Sequence, residues 1–283
     1  MAINNSINAQ QTGVQCQTST GVWNGRTITA GTGISVSDGD GVAGNPTISA
    51  TGSGGGLGTV LIYDDFFGEA SVSNGGTGTS NLVARIAGGG TLTAPTGTAA
   101  NPGIVRFTVS SGSNPALCII SGDSSLGGFI IGNGIVTMQW VFKLTQLSIA
   151  AQTFLFRVGL QDSSTATAAG AVNSGIYLEY TNAVNSGNWT LNCVNSGTKT
   201  TANSATAATT SFVNAKVVVN AAGTSAQFFI NGTELANSPV ATNLPATGIT
   251  PCIYMVKTNG SGAVTADIDL MIFNISLTTP RPG

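Results

Sequence analysis

The chain has 283 residues, of which 7% are charged, with 9 Lys and Arg against 11 Asp and Glu for a net charge of −2; about 25% is usual. No run of Lys or Arg supplies an electrostatic footprint for nucleic acid, so neither DNA nor RNA is an expected partner. Histidine is absent, which removes the usual general base, the usual zinc ligand and any Ser-His-Asp triad together. Gly, Ser, Thr, Asn and Ala fill the polar positions, giving a neutral, hydrogen-bonding surface that suits turn-rich β structure and assembly into larger particles. No cofactor and no metal are expected.

The first residues, MAINNSINAQQ, lack the basic start and apolar core of a secretory signal, and no stretch is long enough to span a bilayer. Synthesis and folding in a cytosol, without membrane insertion, are expected. Residues 1–56 form a Gly- and Thr-rich arm with too few large apolar side chains to bury a core alone. Short β-prone runs lie at Arg26–Ala30, Ile34–Ser37 and Pro46–Ala50, separated by glycine turns. Trp23 has no local core to receive it, so it serves either local packing or an anchoring contact with another chain. Arg26, Ile28, Ile34 and Val36 belong to the same candidate docking set. Asp38-Gly39-Asp40-Gly41 looks superficially like a calcium loop but lacks the later ligands and closing Glu of an EF-hand, which leaves a turn between two strands. Gly52–Gly56 reads as a flexible linker.

Residues 57–283 read as one β domain. Strands are expected at Thr59–Phe67, Ile104–Val109, Ala116–Ser121, Ile135–Leu144, Thr153–Leu160, Gly175–Tyr180, Trp189–Val194, Ala215–Asn220, Ala226–Asn231, Ile253–Lys257 and Ala266–Leu277, with a turn at Asn74. Short strands, Gly/Asn/Ser turns and no amphipathic helix mean an all-β sandwich. Trp140, between Met138 and Phe142, reads as core. The low-complexity stretch Thr198–Thr210 reads as a loop crossing the surface. Cys16, Cys118, Cys193 and Cys252 are too far apart for a zinc or redox motif and read as buried free thiols.

Two constellations could carry chemistry. Asp267 and Asp269, at i and i+2 on one strand and about 7 Å apart, are the one candidate carboxylate pair for glycoside hydrolysis. The competing reading makes them the polar face of a strand whose other face is Ile268, Leu270 and Ile272. Tyr177, Tyr180 and Trp189 lie in neighbouring strands and could form a platform on which sugar rings stack. The competing reading is core, because Trp189, Leu191 and Cys193 share one strand face.

The segment KVVVNAAGTSAQFFINGTEL, Lys216–Leu235, alternates as two strands and closes on Asn231-Gly232, the pair that supplies the positive φ angles of a tight hairpin turn. With Asn243-Leu244-Pro245 at a turn and the last strand VTADIDLMIFNISL, Val264–Leu277, it resembles the concanavalin A-like, laminin-G-like jelly rolls of bacteriophage structural proteins. The middle of the arm, from Gly21 to Ala50, resembles modules of phage tail fibres and other virion appendages. The resemblance implies a non-enzymatic fibre or head-decoration protein at the surface of a tailed-phage virion. On that view it is a homotrimer, docked on capsid or tail proteins through residues 1–56, with a lectin-like domain facing host-surface carbohydrate. Two other functions remain open: a capsid cement protein whose jelly roll only braces the head, and a polysaccharide depolymerase using Asp267 and Asp269.

Overall fold

Alternation at a period of two governs the large domain. In β10 (Gly134–Leu144) and β15 (Phe212–Val219) every second side chain is buried, the geometry of strands with one face on a core. The computed structural model describes residues 14–19, 22–31, 34–40, 45–50, 57–66, 82–87, 89–109, 116–122, 128–162 and 172–281. The chain divides into two units, residues 1–58 with 280–283, and residues 59–279. Among the described residues the regular structure is all strand apart from a single 3-10 turn at Asn185–Gly187.

In the first unit β1 (Val14–Ser19) pairs with β2 (Val22–Arg26), and β3 (Ile34–Ser37) with β4 (Thr47–Ala50), both antiparallel. The register of the second hairpin sets Val36 opposite Ile48 and Ile34 opposite Ala50. One face is therefore apolar and the other, Ser35, Ser37, Thr47 and Ser49, carries only hydroxyls. Ile34 and Ile48 are exposed, Val36 is half-buried, and Asp38 turns the chain with a φ of 52°. The expected strand Arg26–Ala30 is shifted: β2 ends at the exposed Arg26, and half-buried Ile28 is held outside the ladder by its N–H on the Gly39 carbonyl at 2.8 Å. Trp23 sits in β2 opposite Gln17; its side chain, the Gly52–Gly56 linker and the turn at Asn74 lie outside the described residues.

The second unit is a concanavalin A-like jelly roll of two antiparallel sheets. One follows the order β17 (Thr233–Glu234), β16 (Ala226–Ile230), β15, β10, β19 (Val264–Arg281), β8 (Val105–Val109), β7 (Gly90–Thr93), with β5 (Leu57–Asp64) also on β19. The other follows β14 (Thr198–Ala207), β13 (Asn188–Asn195), β12 (Gly175–Tyr180), β11 (Phe154–Gln161), β18 (Thr250–Lys257), β9 (Ala116–Gly122), β6 (Leu82–Ala87). Their facing side chains make one core, which includes the fully buried Trp140, Phe142, Phe156 and Trp189, with the Phe142 and Phe156 ring centroids 4.8 Å apart. Asn231 and Gly232, at φ 50° and 80°, make the two-residue turn from β16 to β17, as their sequence requires.

Two expectations are corrected here. The first is that Thr198–Thr210 is a loop; residues 198–207 are the edge strand β14, paired along β13. Its inward positions are Thr200, Ala202, Ser204 and Thr206, side chains so small and polar that the alternation leaves no hydrophobic signal. The segment after β17 screens this edge, with Asn237 Nδ2 donating to the Asn203 carbonyl at 2.7 Å and Asn243 Nδ2 to Thr200 Oγ1 at 2.8 Å. Such cover protects an edge strand from pairing with another chain. The second correction is the inward face of β19, because Val141 pairs with Leu270 but Phe142 pairs with Ile268. Asp269 is the extra residue of a β-bulge, which flips the phase of the strand. Ala266 and Ile268 point inward before it, and Met271 and Phe273 after it.

Cys193 and Cys252 are buried free thiols, each pushed up to about 12 by burial; the side chains of Cys16 and Cys118 are not among those described. No helix among the described residues is long and apolar enough to cross a membrane.

Candidate functional site

The three aromatic residues proposed as a sugar platform do not share a face. Tyr177 and Tyr180 are three apart in β12, so they point to opposite sides of the sheet. Glu179 pairs with Thr190, which brings Tyr180 beside Trp189 on the inner side. Their rings lie 5.6 Å apart, and both side chains are closed off in the core. Burial raises the Tyr180 pKa, and the hydrogen bond its hydroxyl accepts from the Ser148 N–H at 2.9 Å partly offsets this. Tyr180 thus ties a loop to the core rather than stacking on a ligand.

Tyr177 belongs to a polar layer on the outer side of the seven-stranded sheet. Pairings of Arg157 with Tyr254 and with Glu179 set three side chains in a row across β18, β11 and β12. Arg157 Nε donates to Glu179 at 2.6 Å, and Lys199 Nζ reaches the other carboxylate oxygen at 3.3 Å. The Arg157 guanidinium also lies over the Tyr177 and Tyr254 rings, 5.2 and 5.6 Å from their centroids. Burial works against the Arg157 charge, but Glu179 together with the Tyr177 and Tyr254 hydroxyls outweighs it and holds the Arg157 pKa above its ordinary value. Burial likewise pushes the Tyr177 hydroxyl up, against the pull of Arg157. One row along, Thr201 Oγ1 donates to Asn192 Oδ1 at 2.8 Å, and Asn192 Nδ2 donates to Thr190 Oγ1 at 3.1 Å. The charged groups of this layer satisfy one another, as buried charges must, and Arg157 and Glu179 are only 10% and 8% exposed.

Asp267 and Asp269 are also engaged. Arg106 grips Asp267 with two hydrogen bonds, at 2.6 and 2.8 Å, the bidentate geometry of a structural ion pair. Asp269, carried on the bulge, accepts from Asn101 Nδ2 at 2.8 Å. Burial raises its pKa, Asn101 opposes the shift and Asp65 adds to it. A nucleophile or general base for glycoside hydrolysis needs a carboxylate open to substrate; here one is clamped and the other nearly closed off. Among the described residues no three His, Cys, Asp or Glu side chains gather into a metal site.

A concave feature among the described residues of the domain opens to solvent. A cleft of about 380 Å³ lies between the β10–β11 loop and the β18–β19 loop, lined by Gln146, Leu147, Ile149, Gln152, Gly262 and Ala263. Gln146 Nε2 and Gln152 Nε2 both donate to the Ala263 carbonyl, at 3.2 and 3.0 Å. Between them Leu147 and Ile149 are exposed, at 39% and 57%.

Residues 100–272 match the family described as SO2946-like, C-terminal domain, over more than half of the chain. The chain belongs to the SO2946-like C-terminal domain family. No curated protein matches it. Among solved structures, a variant of the Emp46p carbohydrate recognition domain is 9% identical over 77% of this chain and 99% of its own, with a TM-score of 0.50. Peanut lectin with a bound peptide is 12% identical over 78% and 99%, TM-score 0.49. A carbohydrate esterase from the Shiga toxin-encoding bacteriophage phi24B is 12% identical over 78% and 98%, TM-score 0.47. At such identities the likeness is one of fold.

In this SO2946-like domain the cleft residues carried no sequence signal. Two glutamines and two aliphatic residues between strands are ordinary, and only the pairing of two distant loops makes them neighbours. Asp269→Asn tests the reading of the carboxylates. At pH 7 burial disfavours the charged form, so the amide is expected to raise the unfolding midpoint, by roughly 1–2 °C. The sign follows from linkage: a raised carboxyl pKa in the folded state means folding is penalised above that pKa and relieved below it. The gain should therefore vanish as the pH falls through the raised pKa, and thermal unfolding from pH 3 to 8 measures it. A lowered midpoint at pH 7 would contradict the assignment.

Proposed function

We propose that this protein is a non-enzymatic, glycan-binding component of a tailed-bacteriophage virion, mounted through residues 1–56 as a homotrimer and presenting its jelly roll to host-surface carbohydrate. The observation that supports glycan binding most strongly is the pairing of a lectin-like jelly roll with a neutral, amide- and hydroxyl-rich chain, 7% charged. Sugars are held by aligned amides and hydroxyls against apolar patches, not by net charge. The fold is shared with a protein named as a carbohydrate recognition domain. The engaged state of Asp267 and Asp269 favours binding over hydrolysis. For mounting, the support is the second hairpin of the arm, whose apolar face leaves Ile34 and Ile48 open while its other face is all hydroxyl. A two-stranded hairpin is marginal in water without a further layer.

A glycan array probed with the intact chain tests this reading. Retention of a restricted set of glycans, without release of reducing sugar, is expected. A chain lacking residues 1–56 should bind the same set more weakly by about a hundredfold, because linked sites gain avidity. An array without signal removes glycan binding, reducing-sugar release removes the non-enzymatic assignment, and equal binding by the shortened chain removes the arm as the seat of oligomerisation.

A further inference from the structure

We propose that the cleft between the β10–β11 and β18–β19 loops binds an uncharged sugar ring. The ring's apolar face would lie on Leu147 and Ile149 and its hydroxyls on the Gln146 and Gln152 carboxamides. The assignment rests on the glycan-binding reading and places it at one site.

Size and chemistry both point there. A volume of about 380 Å³ falls within the ~300–1,000 Å³ of small-molecule sites and admits a mono- or disaccharide. Each glutamine spends one N–H on the Ala263 carbonyl and keeps its carbonyl oxygen and second N–H for a ligand. Both amides are therefore fixed in direction while offering a donor and an acceptor, which matches a hydroxyl that also does both. Between them Leu147 and Ile149 give an exposed aliphatic shelf, which gains by being covered with the C–H face of a pyranose. No charged side chain lines the cleft, so a sialylated or phosphorylated ring would lose solvation there without meeting a charged side chain in the lining.

The walls are fixed from beneath, the condition for a site that does not lose its affinity to ordering. On one side the Tyr180 hydroxyl receives the Ser148 N–H at 2.9 Å, and Ser148 Oγ receives the Phe154 N–H at 3.1 Å. Ile149 and Gln152 exchange backbone hydrogen bonds at 3.1 and 2.9 Å, closing the turn that projects Ile149. On the other side the buried Lys257 donates through Nζ to the Gly262 carbonyl at 3.1 Å. Gly260, at φ 101°, lets the second loop press against the first, since a Cβ there would stand 2.8 Å from the Ala151 carbonyl.

The test is the same glycan array, probed with the intact chain and with Ile149→Ser and Gln152→Ala. Ile149 is exposed and Gln152 half-buried, so unfolding midpoints matching the parent are expected and are measured alongside. Retention of neutral glycans by the parent, and binding weaker by about tenfold in each variant, the loss of one good contact, is the expected result. Unchanged binding in both variants overturns the cleft and leaves glycan binding standing elsewhere on the domain. Retention of acidic glycans only overturns the ligand class. No retention by the parent overturns the glycan-binding reading and the cleft with it.

Discussion

Replacing Trp189 by alanine is expected to destabilise the sandwich by about 3–5 kcal/mol, the range for deleting a fully buried aromatic side chain. Trp189 is 1% exposed. Its ring meets Phe142 of the opposite sheet edge-on at 5.8 Å and Tyr180 of the neighbouring strand at 5.6 Å, so it joins the two layers. Its backbone is held independently, because Ser204 Oγ and Asn185 Nδ2 both donate to its carbonyl, at 2.8 and 3.0 Å. The strands stay in place when the indole goes, the surrounding rings cannot close the space, and the cavity term adds to the lost burial. A fall in the unfolding midpoint of roughly 10 °C is expected, measured by near-ultraviolet circular dichroism and urea titration. A variant with an unchanged midpoint that lost only glycan binding would return Trp189 to the role of a stacking platform.

Glu179→Ala is expected to cost a similar amount, about 3–5 kcal/mol, for an electrostatic reason. Arg157 has given up most of its hydration, and the carboxylate that receives its Nε at 2.6 Å is what compensates. Removing that carboxylate takes away the ion partner at 2.6 Å from a guanidinium that is 10% exposed, and releases Lys199 as well. The double variant Glu179→Ala, Arg157→Met removes the guanidinium charge together with that carboxylate. It should recover most of the loss, since replacing both members of a buried pair by apolar groups is far cheaper than removing one. Urea unfolding of the two single variants and the double gives the coupling directly. Additive losses would mean that the pair is not coupled and that the layer is held by packing alone.

The β character of the chain was legible because it rests on local rules. Val217 and Val219 alternate with Val218, Met138, Trp140 and Phe142 with Gln139 and Val141, and Asn231-Gly232 can adopt the positive φ angles of its turn without strain. The expected all-β sandwich follows from that repetition, the jelly roll is what the resemblance implied, and that is the fold observed. β14 escaped the same reasoning because Thr200, Ala202, Ser204 and Thr206 present no apolar contrast, and it is a strand only because β13 offers its ladder. The bulge at Asp269 escaped as well. Reading β19 in strict alternation puts Leu270 and Ile272 in the core, whereas one extra residue against Val141 and Phe142 delivers Met271 and Phe273 there instead.

Composition, the absence of histidine and the period of two thus determined a neutral all-β sandwich, since each depends only on residue types and near neighbours. Where each polar group points was decided by tertiary structure. Tyr180 serves a loop 32 residues away in sequence and Arg106 clamps Asp267 across 161, and such pairings exist only once sheet order and register are set. The cleft is a case of the same kind, because Gln146 and Gln152 meet Ala263 over separations of 117 and 111 residues, and no local pattern encodes which loops a sandwich will bring together.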